Sequence, residues 1–320
     1  MRYFFTKLGP GNSLASALLD ECRLGEPTLV GFFRDLRMPE LRDHPYDQRP
    51  RFSAQALELF RWAEGALEGY AVTSAERSVW ILEAAGPMYE MEREEFEAVV
   101  GPTPHQDDVP KLVPVRVVYR RAVTHVPAVL QQITANRRLS SSTFKLIPED
   151  FGLEMAIDYV LFMAGILTRF PRCSPETRNL EHLFLCLGDN ELLALVVRIF
   201  EEQGLYVPPP TGGFVKNIDL FVRNYQSQAR DIAGVYVPGR SLFRYGAIAV
   251  ELKKSGPEAY TEPPTEVEYR IQLNGEPGPG VMTRSWIVEN LRQCPNTRHW
   301  LEALVRWVPF GARLLRELEP

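Results

Sequence analysis

The sequence predicts an α+β chain in two parts, a small β-barrel with helices over residues 1–147 and an α/β sandwich over residues 148–320. Three observations predict it. A length of 320 residues carries a prior of two domains at about 150 residues each. The first half alternates many short β-branched or aromatic runs with a few helical stretches, the pattern of a closed or curled sheet. The second half changes to long apolar helices that bracket a group of strands.

In the first half, Arg2–Lys7 reads as an apolar strand and Gly9–Asn12 as a turn, with Ser13 placed to cap a helix over Leu14–Cys22. Thr28–Phe33 is a second strand. Ser53 opens a helix to about Glu68, with Ala56, Leu57, Leu59, Phe60 and Ala63 on one side. Tyr70–Thr73, Ser78–Ala84 and Leu112–Tyr119 follow as strands, and Glu90–Glu97 as a solvated helix face. Pro127–Thr134 is a short helix and Thr143–Ile147 the last strand.

In the second half, Phe151–Leu167 is a strongly apolar helix. Leu180–Gln203 is helical and breaks near Gly188-Asp189-Asn190. Gly204–Val207 and the β-branched runs Val215–Val222, Ile232–Val237 and Ala247–Leu252 are strands. A Pro/Gly-rich segment, Pro257–Gly280, precedes helices at Ser285–Arg292 and Thr297–Trp307.

Composition removes several classes. With 45% hydrophobic and 24% charged residues the chain is neither disordered nor fibrous. Its best apolar run, Tyr159–Leu167, is about half the length that crosses a bilayer, so no membrane association is expected. The N-terminus lacks a signal core, and Cys22, Cys173, Cys186 and Cys294 are far apart, which suits a reducing cytoplasm. His44, His105, His125, His182 and His299 show no metalloprotease spacing, and there is no phosphate-cradling glycine motif.

A net charge of −5 argues at first against a nucleic-acid partner, but the charge is unevenly spread. From Lys111 to Lys145 seven basic residues occur without an acidic one, and Gly212–Lys254 holds seven against Asp219, Asp231 and Glu251. Such windows suit phosphate contacts, unless folding supplies acids beside them.

The sharpest chemical signal is Ala249-Val250-Glu251-Leu252-Lys253. Alternation places Glu251 and Lys253 on one side of an apolar strand, and a carboxylate and ammonium at the end of a buried strand need a use or a partner. Asp219 and Asp231 lie upstream, 251 − 219 = 32 and 251 − 231 = 20 positions away. An Asp and a Glu converging from adjacent strands can hold Mg²⁺ through hard oxygens, and a neighbouring Lys can orient water and stabilise developing charge. This Asp…Glu-x-Lys order resembles the PD-(D/E)XK nuclease superfamily, and Leu192–Asp219 looks like its Mrr-type restriction branch. The resemblance implies Asp219, Glu251 and Lys253 as catalytic, Mg²⁺ or Mn²⁺ as cofactor, and Glu191 as an additional acid. The more usual superfamily gap favours Asp231 over Asp219 as metal ligand; no Pro-Asp dipeptide decides between them.

Leu29-Val30-Gly31-Phe32, Val79–Tyr89 and the series Val113–Val117, Val126–Leu130 and Ser142–Phe144 resemble the EVE domains of the PUA-like superfamily. That resemblance implies a reader of a flipped, modified base. An extruded base stacks on aromatic rings and a methyl group gains from apolar contact. By position, Phe32, Trp80 and Tyr89 would line the pocket, and Asn12 or Ser13 would hydrogen-bond a base edge. Together the resemblances imply a modification-dependent restriction endonuclease acting on double-stranded DNA, commonly as a homodimer. The rivals are a nuclease acting on RNA or with a partner, and a non-catalytic nucleic-acid-binding protein.

Overall fold

The chain divides into two units, Met1–Phe170 and Pro171–Pro320. The structure is a computed structural model, in which residues 2–9, 12–33, 37–43, 53–103, 109–135, 144–147, 150–170, 174, 176, 178–208, 220–232, 234–237, 239, 246–253, 269–272, 278 and 280–318 are described.

The first unit runs β1 (Arg2–Thr6), β2 (Thr28–Phe32), α1 (Met38–Asp43), α2 (Ala54–Ala63), β3 (Gly69–Ala75), β4 (Ser78–Ala84), β5 (Tyr89–Glu90), α3 (Arg93–Val100), β6 (Pro110–Ala122), α4 (Ala128–Ala135), β7 (Phe144–Leu146) and α5 (Phe151–Met163). Its sheet has the order β2-β6-β4-β3-β1-β7, with β5 also on β6, and curls into an open half-barrel rather than the barrel expected. The β1–β3 pair is parallel and the others are antiparallel. The curl has a local cause. Ile81 faces Tyr119 but Leu82 faces Val117, so Val118 is an extra residue in β6, and a bulge of this kind bends its strand and increases the twist.

Alternation along β1 sends Phe4 into the half-barrel. There it stacks on Phe144 at 4.9 Å, and Trp62 of α2 lies 5.2 Å from Phe144. Burying each such ring stabilises the unit by about 1.5–3 kcal/mol, with a further ~1 kcal/mol from ring geometry. The Trp62 indole also donates to the Gly69 carbonyl at 3.0 Å. Gly69 is required there: its φ is +157°, and an added Cβ would sit on the Arg2 carbonyl oxygen across the parallel pair.

Ser53 caps α2 as expected, accepting from Ala56 N at 3.3 Å, but the helix ends at Ala63 and not near Glu68. The helix expected at Leu14–Cys22 contracts to a π-helical turn, Ser16–Asp20, whose flanking residue is Ala15, so Ser13 does not cap it. Glu21 N reaches back five residues to Ser16 O at 2.8 Å. The acidic run around Glu90–Glu97 is helical from Arg93, with Phe96 and Val100 buried beneath it.

The helix expected to open the second domain belongs instead to the first, moving the division from residue 147 to Phe170. Tyr3, on the opposite face of β1 from Phe4, donates its hydroxyl to Asp158 in the middle of α5, and both side chains are fully buried. A charged-type residue inside an apolar helix was the mark of this docking.

The second unit contains α6 (Leu180–Leu185), α7 (Asp189–Glu202), β8 (Leu220–Asn224), β9 (Arg230–Ile232), β10 (Val235–Val237), β11 (Gly246–Lys253), β12 (Tyr269–Gln272), β13 (Val281–Met282), α8 (Arg284–Gln293), α9 (Pro295–Leu304) and α10 (Gly311–Arg316). The main sheet has the order β13-β12-β11-β8, antiparallel at β8–β11 and parallel at β11–β12 and β12–β13. Ile232–Val237 is not one strand but a hairpin turning at Gly234, φ +79°. The Pro/Gly-rich segment, in which the sequence singled out no element, supplies β12.

Glu202, ending α7, ties it to α9. Its carboxylate accepts from Asn296 N at 2.9 Å, Thr297 N at 2.8 Å and Thr297 Oγ1 at 2.7 Å. Burial works to raise this carboxyl, but the Thr297 and Asn296 donors outweigh it and hold the group below its ordinary range.

Candidate functional site

The strand β11 pairs with β8 over Gly246–Val250 and with β12 over Val250–Lys253, so its end, Glu251-Leu252-Lys253, is paired to β12. Val250 faces Leu220 of β8, while Glu251 and Lys253 face Arg270 and Gln272 of β12. The described register on the β8 side stops at Leu220↔Val250, whose sequence neighbours are Asp219 and Glu251. Asp219 itself lies outside the described residues.

Asp231 is placed differently. It is on β9, in the two-stranded sheet with β10, and not on a strand paired with β11. Its exposed carboxylate accepts from Gly234 N at 3.0 Å, holding the hairpin turn. Glu191, the additional acid the resemblance implied, accepts from Gly188 N at 2.8 Å at the start of α7. A carboxylate there answers both an orphan N–H and the positive end of the helix. Among the described residues no three His, Cys, Asp or Glu side chains form a metal cluster; the side chains of Asp219 and Glu251 are not among those described. Burial, with Glu202 adding to it, pushes the Cys294 thiol up to about 11, which disfavours its thiolate.

Near β8 the structure brings together aromatics that periodicity did not single out. Tyr206 is bridged to Arg223 through backbone hydrogen bonds, and its ring lies 5.4 Å from Tyr225, whose hydroxyl accepts from Arg223 at 3.3 Å. Tyr206 and Tyr225 are exposed, and Tyr236 on β10 is 71% exposed. The legible signal was alternation, since Arg223 and Tyr225 are two apart along one strand end.

In the first unit the five expected base-binding residues separate into two groups. Val30 of β2 and Tyr89 of β5 both face Leu112 on β6, and alternation puts Phe32 on the same face as Tyr89. Phe32 is buried and meets Phe96 edge-on at 5.8 Å, a core contact. Tyr89 is half-buried, and burial, reinforced by the Glu26 carboxylate, pushes its phenol up.

Trp80 faces Arg120 instead, 120 − 112 = 8 residues further along β6, or about 25 Å of strand contour. The Arg120 guanidinium covers its ring at 4.1 Å and is held by Asp20 at 2.6 and 2.9 Å. Asn12, at φ +62°, lies toward this end. Its amide oxygen accepts from Leu8 N at 2.7 Å and its amide nitrogen donates to the Ser74 carbonyl. Those bonds fix the turn, which gives Asn12 a structural role; Ser13 beside it is exposed.

The basic window is largely neutralised where it is described. Lys111 is fully buried, with Nζ 3.2 Å from Val109 O and 3.4 Å from Glu90. Arg116 pairs with Glu83 across β4–β6, and Arg120 with Asp20. A buried ammonium cannot reach a phosphate, and sequence order could not reveal acids arriving from other strands. In the second window Arg230 is likewise engaged, by the Gln203 carbonyl and by Gln226. Comparison with protein-family models, curated proteins and solved structures returned no match.

Proposed function

We propose that the chain is a modification-dependent DNA endonuclease that requires Mg²⁺, with the first unit reading a modified base and the second hydrolysing phosphodiesters. The observation that supports it most is that Glu251-Leu252-Lys253 ends a strand paired to β12, immediately past the Val250↔Leu220 pair at which the β8 strand, led into by Asp219 in sequence, meets it. The carboxylates of Asp219 and Glu251 are the hard oxygen donors that suit Mg²⁺. Bound there, the ion would supply Lewis-acid polarisation of the scissile phosphate. Lys253 would orient the attacking water and stabilise charge on the phosphate oxygens. Asp231 is the weaker candidate ligand, since it holds its own turn on a separate hairpin. The exposed Tyr206, Tyr225 and Tyr236 favour a nucleic-acid surface on this unit, because aromatic faces accept stacked bases.

The deciding experiment is cleavage of duplex DNA with and without modified cytosine or adenine, with Mg²⁺ or with chelator. The expected outcome is Mg²⁺-dependent cutting of modified DNA alone, abolished by Lys253→Ala. Cutting indifferent to modification would support a second reading, a nuclease of the same kind acting on RNA or with a partner. The cancelled charges on β6 favour that reading, since they weaken the first unit's grip on phosphates. Absence of cutting on every substrate would leave a non-catalytic binding protein.

A further inference from the structure

Three buried polar atoms of the first unit meet no hydrogen-bond partner among the described residues: Thr6 Oγ1, Thr73 Oγ1 and Trp80 Nε1. They are not scattered. Thr73 is the register partner of Trp80, and Thr6 and Thr73 each follow one member of the Phe5–Val72 pair, so the three stand side by side on β1, β3 and β4. All share the face of Phe4, Ala71 and Leu82, the inside of the half-barrel. Their residues are 1%, 0% and 3% exposed.

Buried polar groups in folded proteins are nearly always hydrogen-bonded, and an isolated exception is costly. Three in one rung, across strands about 4.8 Å apart, form an interior polar strip about 10 Å long. We propose that Thr6, Thr73 and Trp80 are the hydrogen-bonding row for the edge of a nucleobase, with Arg120 as its movable cover. This rests on the modified-base reading of the first unit, and adds to Trp80, which the resemblance implied, Thr6, Thr73 and Arg120, which it did not. The chemistry fits a heterocycle edge. The indole N–H only donates and needs a ring nitrogen or carbonyl, while threonine hydroxyls donate or accept and can serve an exocyclic amine or a second carbonyl. Arg120 lies over the Trp80 ring, and its link to Asp20 joins two partly exposed side chains, a weak tie that a stacking base can displace.

The test uses the full chain with free 5-methylcytosine and N6-methyladenine as probes, and with duplexes carrying or lacking those bases. Thr73→Val and Thr6→Val keep shape and delete only the hydroxyl. Each is expected to melt at the same or a higher temperature than wild type while binding its free base about tenfold more weakly, the worth of one hydrogen bond. Asp20→Ala, which releases the cover, is expected to tighten free-base binding. Val variants that bind as well as wild type, or a wild type that binds neither free base, overturn the row; unchanged binding in Asp20→Ala overturns the cover. Free-base binding that falls in the Val variants, together with equal binding of modified and plain duplexes, keeps the row and defeats the modified-DNA reading instead.

Discussion

The two units use their polar residues in opposite ways. In the first, buried hydroxyls and an indole N–H stand along one rung with no hydrogen-bond partner among the described residues, while Lys111, Arg116 and Arg120 on β6 are paired with Glu90, Glu83 and Asp20. In the second, Glu191, Glu202 and Asp231 each satisfy backbone N–H groups at a helix start or a turn. Neutral donors and acceptors in an apolar interior suit recognition of an uncharged heterocycle. Carboxylates bound to backbone N–H groups are positioned for structure, which sets Glu191, Glu202 and Asp231 apart from the metal site proposed at the end of β11. Carboxyl content alone therefore misidentifies a site; what each carboxylate is bonded to decides.

The largest expected effect tests that division within the second unit. Asp219→Ala should lower Mg²⁺-dependent cutting about 10³-fold, with DNA affinity near wild type, while Asp231→Ala should leave the rate within about twofold. Loss of cutting in the second variant and not the first would reverse the assignment. Next is the first unit's parallel pair. Gly69→Ala forces a Cβ against the Arg2 carbonyl at a φ that favours glycine and should cost about 2–3 kcal/mol in urea unfolding. Tyr3→Phe removes the hydroxyl that meets Asp158 inside the core, with an expected loss of about 1–3 kcal/mol. An unchanged midpoint would show that α5 docks through apolar packing alone.

The smallest effect concerns the Glu202 clamp. Glu202→Gln should cost about 1 kcal/mol at neutral pH, the group being partly screened by solvent. Its carboxyl is lowered in the folded state, so its contribution is present above the unfolded-state value and fades as pH falls through the folded one. Melting curves of wild type and variant should converge as pH drops through the acid carboxylate range. Curves that stay parallel would mean that the clamp acts through shape rather than charge.

Much of the fold was legible. The strands Arg2–Thr6, Thr28–Phe32, Ser78–Ala84 and Gly246–Lys253 follow from runs of β-branched and aromatic residues, and Ser53 marked its helix through cap chemistry alone. These are local signals, written in period and propensity. The short β12 was hidden in a Pro/Gly-rich stretch because four residues carry little period of their own. The domain boundary failed for another reason: the apolar character of Phe151–Met163 says that it is covered, not by what.

For the candidate site, the sequence by itself determined the residue types that chemistry needs: Glu251 and Lys253 on one side of a strand, an aspartate upstream, aromatics among short strands. Tertiary structure decided which of them have neighbours. It put Trp80 and Tyr89 at different stretches of β6, gave Asn12 and Glu191 backbone partners, buried Lys111, and aligned Thr6 and Thr73 with Trp80. Period and propensity are properties of consecutive residues. Pairing, charge cancellation and the satisfaction of buried polar atoms depend on residues tens of positions apart, which only the register of the sheet brings together.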